Sequence, residues 1–293
     1  MTVVGEGDFR YELDESWPNI PEGWELGLCS DVAIDSRDRV FVFNRNKHPV
    51  AVFDEAGTFV TSWGEGEFKD PHGIYIGPGD EVWVTDTQDH VVTKHTPHGE
   101  KLLELGTRGH AQPSITNRGQ HGQPFNMPTG IALNADGEIF VSDGYGNKRV
   151  HRFSAEGELK LSWGVPGLGP GEFALVHNLG IDTQGRVLVC DRENSRIQIF
   201  DQEGGHIETW ERDSSPGDVY VSPDGFIYVT EGGRRGSGVS ILTESGAAVS
   251  QWHGAENGLE AAHGIWVDSK GNIYVAEIGQ PGHGQRVRKY AKI

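Results

Sequence analysis

Three histidines in this sequence stand directly before apolar runs: His72 in PHGIYI, His177 in VHNLGI and His263 in AHGIWV. One such histidine is ordinarily a half-exposed polar residue at a strand start. Three neutral imidazoles that meet at one point, with a fourth position open, are instead the ligand set of a catalytic zinc site. Chemistry at such a metal calls for a base and for groups that hold an anion. Tyr145 in VSDGYGNKR, Arg45 in VFNRNK and Arg192 in VCDRENSR are of the right types. They are far apart in the chain, so only the fold could assemble them.

The elements that would do so are repeated. Six copies of one 15-residue pattern run along the chain: an apolar strand, a turn rich in Gly and Asp, a second strand, and a closing acidic or amide residue. They are SDVAIDSRDRVFVFN from residue 30, HGIYIGPGDEVWVTD from 72, TGIALNADGEIFVSD from 129, HNLGIDTQGRVLVCD from 177, GDVYVSPDGFIYVTE from 217 and HGIWVDSKGNIYVAE from 263. Each reads as a β-hairpin, and most are followed by two more strands, as in VHRFSAEGELKLSW (150–163). Four antiparallel strands repeated six times, at spacings of 40 to 57 residues, predict an all-β fold, a six-bladed β-propeller whose hairpins start at the central channel. The sixth unit runs short after RVRKYAKI, and FRYELDES near the N-terminus is the segment expected to supply its outer strand. Residues 1–293 are therefore expected to form a single propeller domain closed by an N-terminal strand.

The first position of the six copies holds Ser30, His72, Thr129, His177, Gly217 and His263. Histidine falls on blades two, four and six alone. Those blades lie about 120° apart around the channel, so the imidazoles should converge on its axis. Antiparallel pairing returns the residues after the second strand to the face where the first strand begins, which brings Arg45, Tyr145 and Arg192 around the metal. Asp143, Asn147, Asp191 and Asn194 read as turn organisers, with Arg149 and Arg196 capping them. The other ten histidines, among them His48, His90, His95, His98, His110 and His121, follow no rule and are expected on the surface or in loops.

Composition agrees with this reading. Forty-two Gly, 14 Pro and only two Met describe short strands joined by tight turns. A net charge of −18 repels nucleic-acid phosphates and anionic lipid, leaving small or cationic partners. The N-terminus lacks the basic start and apolar core of a signal peptide, and no stretch approaches the roughly 18 apolar residues of a membrane span; a soluble, cytoplasmic protein is expected. Cys29 and Cys190 are too few for a disulfide framework or a thiolate zinc site. The longest connection, 106–128, is rich in Gly, Gln and Pro and is expected to form a rim loop that sets substrate size.

The repeat phrases resemble the NHL-repeat six-bladed propellers over nearly the whole chain. Within them, VSDGYGNKRV, VCDRENSRIQIF and the three histidine segments resemble the peptidyl-α-hydroxyglycine α-amidating lyases, a zinc-dependent branch. The resemblance implies zinc on His72, His177 and His263, a catalytic base at Tyr145, and catalytic and substrate-binding roles for Arg45 and Arg192. Where that family has a methionine beside the metal this chain has Ala261, and where it has a calcium-binding aspartate after the third histidine this chain has Gly264. Zinc without a structural calcium is therefore expected. The family's disulfides are missing, and the 293 residues leave no room for the copper-dependent hydroxylating domain that accompanies the lyase in some relatives.

The expected chemistry is cleavage of a carbinolamide to an amide and a carbonyl product, which is glyoxylate if the substrate carries a carboxylate on the reacting carbon. Tyr145 would act as base with its pKa lowered by the metal and Arg45. Such a substrate is a small molecule or a short peptide. Two alternatives share the fold. A metal-dependent lactonase or esterase would need a carboxylate base, for which Glu231 and Glu277 are the candidates, and a non-catalytic binding scaffold would hold no metal tightly.

Overall fold

The computed structural model describes residues 1–113, 125–233, 236–279 and 287–293. Of the 106–128 connection expected at the rim, residues 114–124 lie outside the described residues, as does His121.

The described chain is laid out in six antiparallel sheets arranged as a ring, with a short parallel pair, Val165–Pro166 and Glu172–Phe173, in the connection between the third and fourth. Blade one consists of Cys29–Ile34, Val40–Asn44, Val50–Phe53 and Phe59–Trp63, ordered from the centre outward. The innermost strands of the other blades are Pro71–Ile76, Pro128–Leu133, Val176–Ile181, Ser215–Val221 and Ala262–Val267. Each lies against the innermost strand of the next blade, and Ala262–Val267 returns to Cys29–Ile34, which closes the ring. The sixth blade takes its fourth strand from the N-terminus. Phe9–Asp14 pairs antiparallel with Val287–Lys292, with Tyr11 opposite Lys292 and Asp14 opposite Lys289. The closing segment is the one expected, and Val3–Glu6 adds a fifth strand outside it that the repeat did not announce.

Blade faces are buried on both sides, which is why their strands read as nearly continuous apolar runs. Phe41, Phe43, Val50 and Val52 of blade one, for example, pack against Ile74, Ile76, Val82 and Val84 of blade two. The hairpin turns are set by aspartates: Asp35 accepts hydrogen bonds from the amides of Arg37 and Arg39, and Asp182 does the same for Gln184 and Arg186. Cys29 and Cys190 are buried on blades one and four. No helix among the described residues is long and apolar enough to cross a membrane.

One local feature decides where the three histidines point. Every innermost strand breaks register at the first position of the repeat: between Cys29 and Asp31, Pro71 and Ile74, Pro128 and Gly130, Val176 and Leu179, Pro216 and Val219, and Ala262 and Gly264. A β-bulge takes one residue out of the ladder and re-aims its side chain. The three histidines are residues of these bulges.

Candidate metal centre and active site

The bulges turn His72, His177 and His263 onto the channel axis, where their rings sit 4.6 to 5.0 Å apart between centroids. Each Nδ1 meets a main-chain carbonyl of the following blade: His72 with Thr129 at 2.7 Å, His177 with Gly217 at 2.7 Å and His263 with Ser30 at 2.5 Å. The alternation in the sequence thus has a partner pattern. Even blades supply imidazoles, and odd blades supply the carbonyls that orient them through small residues at the same position. A carbonyl can only accept, so Nδ1 carries the proton and Nε2 presents its lone pair inward, the tautomer that metal-binding histidines take when the other ring nitrogen donates to a carbonyl.

One ligand atom from each histidine lies within 4.8 Å of the other two, the one such cluster among the described residues. Burial holds the His72 and His177 rings well below the usual imidazole range, and the neighbouring His263 pushes the same way. His263 is pushed down to about 3, again chiefly by burial. All three are therefore neutral at physiological pH. His263 Nε2 is buried and has no hydrogen-bond partner. A buried, neutral nitrogen left unpaired is costly unless something binds it, and this nitrogen, together with Nε2 of His72 and His177, fits a zinc ion in a three-histidine set.

Tyr145 reaches this centre from the loop after the second strand of blade three. Its hydroxyl lies 3.0 Å from His72 Nε2 and 3.1 Å from His177 Nε2. The glycine before it allows this, because a Cβ on Gly144 would fall 1.7 Å from the carbonyl oxygen of Val176. Arg45 and Arg192 stand after the second strands of blades one and four, each with its amide bonded back to the segment before the first strand, at Leu28 and Leu175. The Arg192 guanidinium lies 5.9 Å from the Tyr145 ring centroid, and its Nε and Nη2 each meet the exposed Glu193 at 3.0 Å. Arg45 spends its Nε on the Pro71 carbonyl at 3.0 Å and on Asp70 at 2.9 Å. Burial pushes the Tyr145 phenol up, while Arg192 and then Arg45 pull it down. Arg45 thus acts on the phenol in the expected direction, against a larger effect of burial.

Asp70 is the neighbour that sequence reasoning missed. It orients Arg45, takes a hydrogen bond from the Thr87 hydroxyl, and opposes the arginines at Tyr145. Its position two residues before His72, outside the repeat unit, was the only signal. The carboxylates named for a hydrolase are committed elsewhere. Glu231 is held by Arg212, Ser240 and His253, and Glu277 by Arg288 and the amides of Glu260 and Ala261. Asp143 and Asp191 do organise turns, through Asn147 and Asn194, and Arg196 is tied to Asp191 and to the Leu168 carbonyl. Two histidines correct the expectation of surface or loop placement: His95 and His151 are fully buried strand residues, bonded to Thr93 and to Asp143 and Ser162. Their strands are internal to blades, where inward side chains have no route to water.

Below the histidines lies a second tier. Asp31 accepts the amides of Val32 and Ile74, and Asp218 those of Val219 and Ile265, so each carboxylate clasps the next blade. Burial raises both above the usual carboxylate range, Asp218 to about 6. Gly264 is required by this tier, since a Cβ there would sit 2.1 Å from Asp31 Oδ1 and 2.7 Å from Asp31 Cα. The space for an aspartate side chain at 264 is already filled from blade one. Gly264→Ala is expected to lower stability by about 1–3 kcal/mol, the cost of overpacking, read from the shift of the urea midpoint; an unchanged midpoint would mean that the tier yields.

Fold and site together define a six-bladed NHL-type propeller with a three-histidine centre in its channel. A family model for the NHL repeat matches residues 125–153 and 173–200. NHL repeat-containing protein 3 of Homo sapiens is 31% identical over 306 residues, taking in 97% of this chain and 84% of the relative. The chain belongs to this NHL-repeat family. Its relatives also include peptidyl-alpha-hydroxyglycine alpha-amidating lyase 1 of Drosophila melanogaster, 27% identical over 330 residues that cover 94% of this chain and 60% of the lyase. A gluconolactonase structure from Xanthomonas campestris superposes with a TM-score of 0.71 at 12% identity, over 99% of this chain and 95% of that one, a likeness of fold.

Proposed function

We propose that this protein is a zinc-dependent carbon–nitrogen lyase that converts an N-acyl-α-hydroxyglycine, small or peptidyl, into the amide and glyoxylate. The observation that carries the reading is the convergence of three neutral Nε2 atoms within 4.8 Å, with the Tyr145 hydroxyl at 3.0 and 3.1 Å from two of them. The named activity of the Drosophila relative supports it. Zinc on His72, His177 and His263 would acidify the substrate hydroxyl. Tyr145 takes that proton and passes it to the departing nitrogen. The O–H and C–N bonds break, a C=O and an N–H bond form, and no oxidant or water is consumed. A hydrolase would instead need an uncommitted carboxylate base, and Asp70, Glu231 and Glu277 are each held by an arginine. Metal analysis of the purified protein, followed by an assay of glyoxylate release, tests the reading; a metal-loaded protein that hydrolyses lactones and releases no glyoxylate would overturn it.

Arg45 and Arg192 are assigned to the substrate carboxylate. Among the described residues the terminal nitrogens of Arg45 make no hydrogen bond, and Arg192 can exchange a solvent-exposed partner for a substrate, since surface pairs of this kind are weak. A guanidinium fork matches two carboxylate oxygens and an ammonium does not. Arg45→Lys and Arg192→Lys are each expected to lower kcat/KM by at least about tenfold, the scale of a lost charged hydrogen bond of about 1.5–3 kcal/mol. The ester of the same substrate should be slow with wild type and less affected than the acid by both changes. Equal rates on acid and ester would show that the arginines do not read the carboxylate.

A further inference from the structure

Beyond the tier of Asp31, Asn178 and Asp218, on the side away from the histidines, the channel opens into a cavity of 320 Å³. The fourth position of the repeat explains its shape, being Ala33, Tyr75, Ala132, Gly180, Tyr220 and Trp266 in blade order. Trp266 meets Tyr75 at 5.5 Å and Tyr220 at 4.8 Å between ring centroids, so one side of the channel is a continuous aromatic wall. The other side is left open by Ala132 and Gly180. Gly180 is not demanded by the backbone dihedrals: its φ is not positive, and an added Cβ would meet Val219 Cγ1 at 3.3 Å, a contact close enough that the valine must give slightly. Its missing side chain leaves this side of the channel open.

The cavity floor carries net negative charge. Asp31, Asp182 and Asp218 are among its lining residues, with no described Lys, Arg or His in the lining; Asp182 is paired with Arg186, and the buried Asp31–Asp218 pair, whose carboxyls burial raises, carries its charge on Asp218. It continues into an outer mouth of 630 Å³, where Asp38, Asp80, Asp224 and Asp268 outnumber Lys270 and Lys292; Asp35, also there, is paired with Arg39, and Lys270 with Glu55. Negative charge at the base of a recess with low-dielectric walls concentrates cations there, and aromatic faces attract a cation that has shed its water. Backbone amides hold the Asp31 and Asp218 carboxylates in place, so little ordering is left to be done on binding. A volume near the lower end of ligand pockets, about 300 Å³, limits the occupant to a small molecule.

We propose that this aromatic-walled cavity is a second binding site, distinct from the histidine centre, and that it takes a small alkylammonium cation with its charged head toward Asp31 and Asp218. The wall matches an alkylated head better than a bare ion, which would keep its water and gain little from the rings. The inference does not depend on the lyase reading, because no residue of the metal centre lines the cavity.

Choline and its uncharged carbon isostere dimethylbutanol serve as probes, titrated into the full chain at constant ionic strength and followed by calorimetry and tryptophan fluorescence. Choline is expected to saturate, and to bind at least about tenfold more tightly than the isostere, on the scale of a desolvated cation–π contact. Gly180→Leu, which fills the open side, and Tyr220→Leu, which removes one ring without filling, should each weaken choline by at least about tenfold while metal content stays unchanged. Equal affinity for choline and isostere would overturn the proposal. So would undiminished choline binding in both variants, or saturable binding of calcium chloride with none of choline, which would assign the acidic floor to a bare ion.

Discussion

Tyr145→Phe is expected to keep its metal and its fold and to lose roughly two to four orders of magnitude in turnover, the usual contribution of a positioned general base. The substitution removes one oxygen. The ring keeps its place between Gly144 and Gly146 and its contact with the Arg192 guanidinium. What is lost is the atom 3.0 and 3.1 Å from two imidazole nitrogens, the only hydroxyl among the described residues that bonds to both. Burial raises the phenol, and the cations that oppose it are Arg192 first and Arg45 second. On the proposed lyase reading the arginines therefore serve the base as well as the substrate. Losing the hydroxyl should consequently weaken the effect of Arg192→Lys: the double variant should fall short of the product of the two single losses, because residues acting as a unit are not additive. Glyoxylate release per metal-loaded chain measures both. A Phe variant of undiminished activity would move the base elsewhere, and with it most of the case for a lyase.

How much of this could be read beforehand follows from what a repeat conveys. Equivalent positions in a sequence repeat occupy equivalent places in a ring, so Ser30, His72, Thr129, His177, Gly217 and His263 could be placed at one height around the channel without coordinates. The closing role of Phe9–Asp14 was legible for the same reason, since a sixth blade one strand short requires an edge partner. Contacts between repeats were not legible. That Ser30, Thr129 and Gly217 matter for their carbonyls rather than their side chains is a property of the bulge, and backbone acceptors leave no residue-type signal. Asp70 lies between repeat units, where spacing has no reference. Asp31 and Asp218 do share a repeat position, but their link across the ring to Gly264 appears only once blades one, five and six are adjacent. His95 and His151 were misplaced because a histidine inside an apolar strand looks the same in sequence whether it faces water or a neighbouring blade.

Replacing any one of His72, His177 or His263 by Ala is expected to take the protein from about one zinc per chain to almost none, abolish turnover, and leave the propeller folded. Folding is expected to proceed without the metal because each blade interface has its own apolar core, such as that of Phe41, Phe43, Ile74 and Val84. The cost of each substitution is the carbonyl it strands. His263→Ala leaves the Ser30 carbonyl without its imidazole partner, and His177→Ala does the same at Gly217, about 1–3 kcal/mol for a buried acceptor. His72→Ala should be mildest, because the Thr129 carbonyl also accepts the Thr85 hydroxyl at 3.1 Å. His263→Ala gains something back by removing the unpartnered buried Nε2. The metal then separates the two contributions. Zinc bound to the native state alone stabilises it by mass action, about 4 kcal/mol at a thousandfold excess over the dissociation constant. Wild type should therefore unfold at higher urea with zinc than after chelation, while all three variants unfold at one midpoint whether or not zinc is present. Stoichiometric metal retained in all three variants, or a zinc-induced shift as large as that of wild type, would place the metal somewhere other than the channel axis and would remove the ground on which Tyr145, Arg45 and Arg192 are assigned their roles.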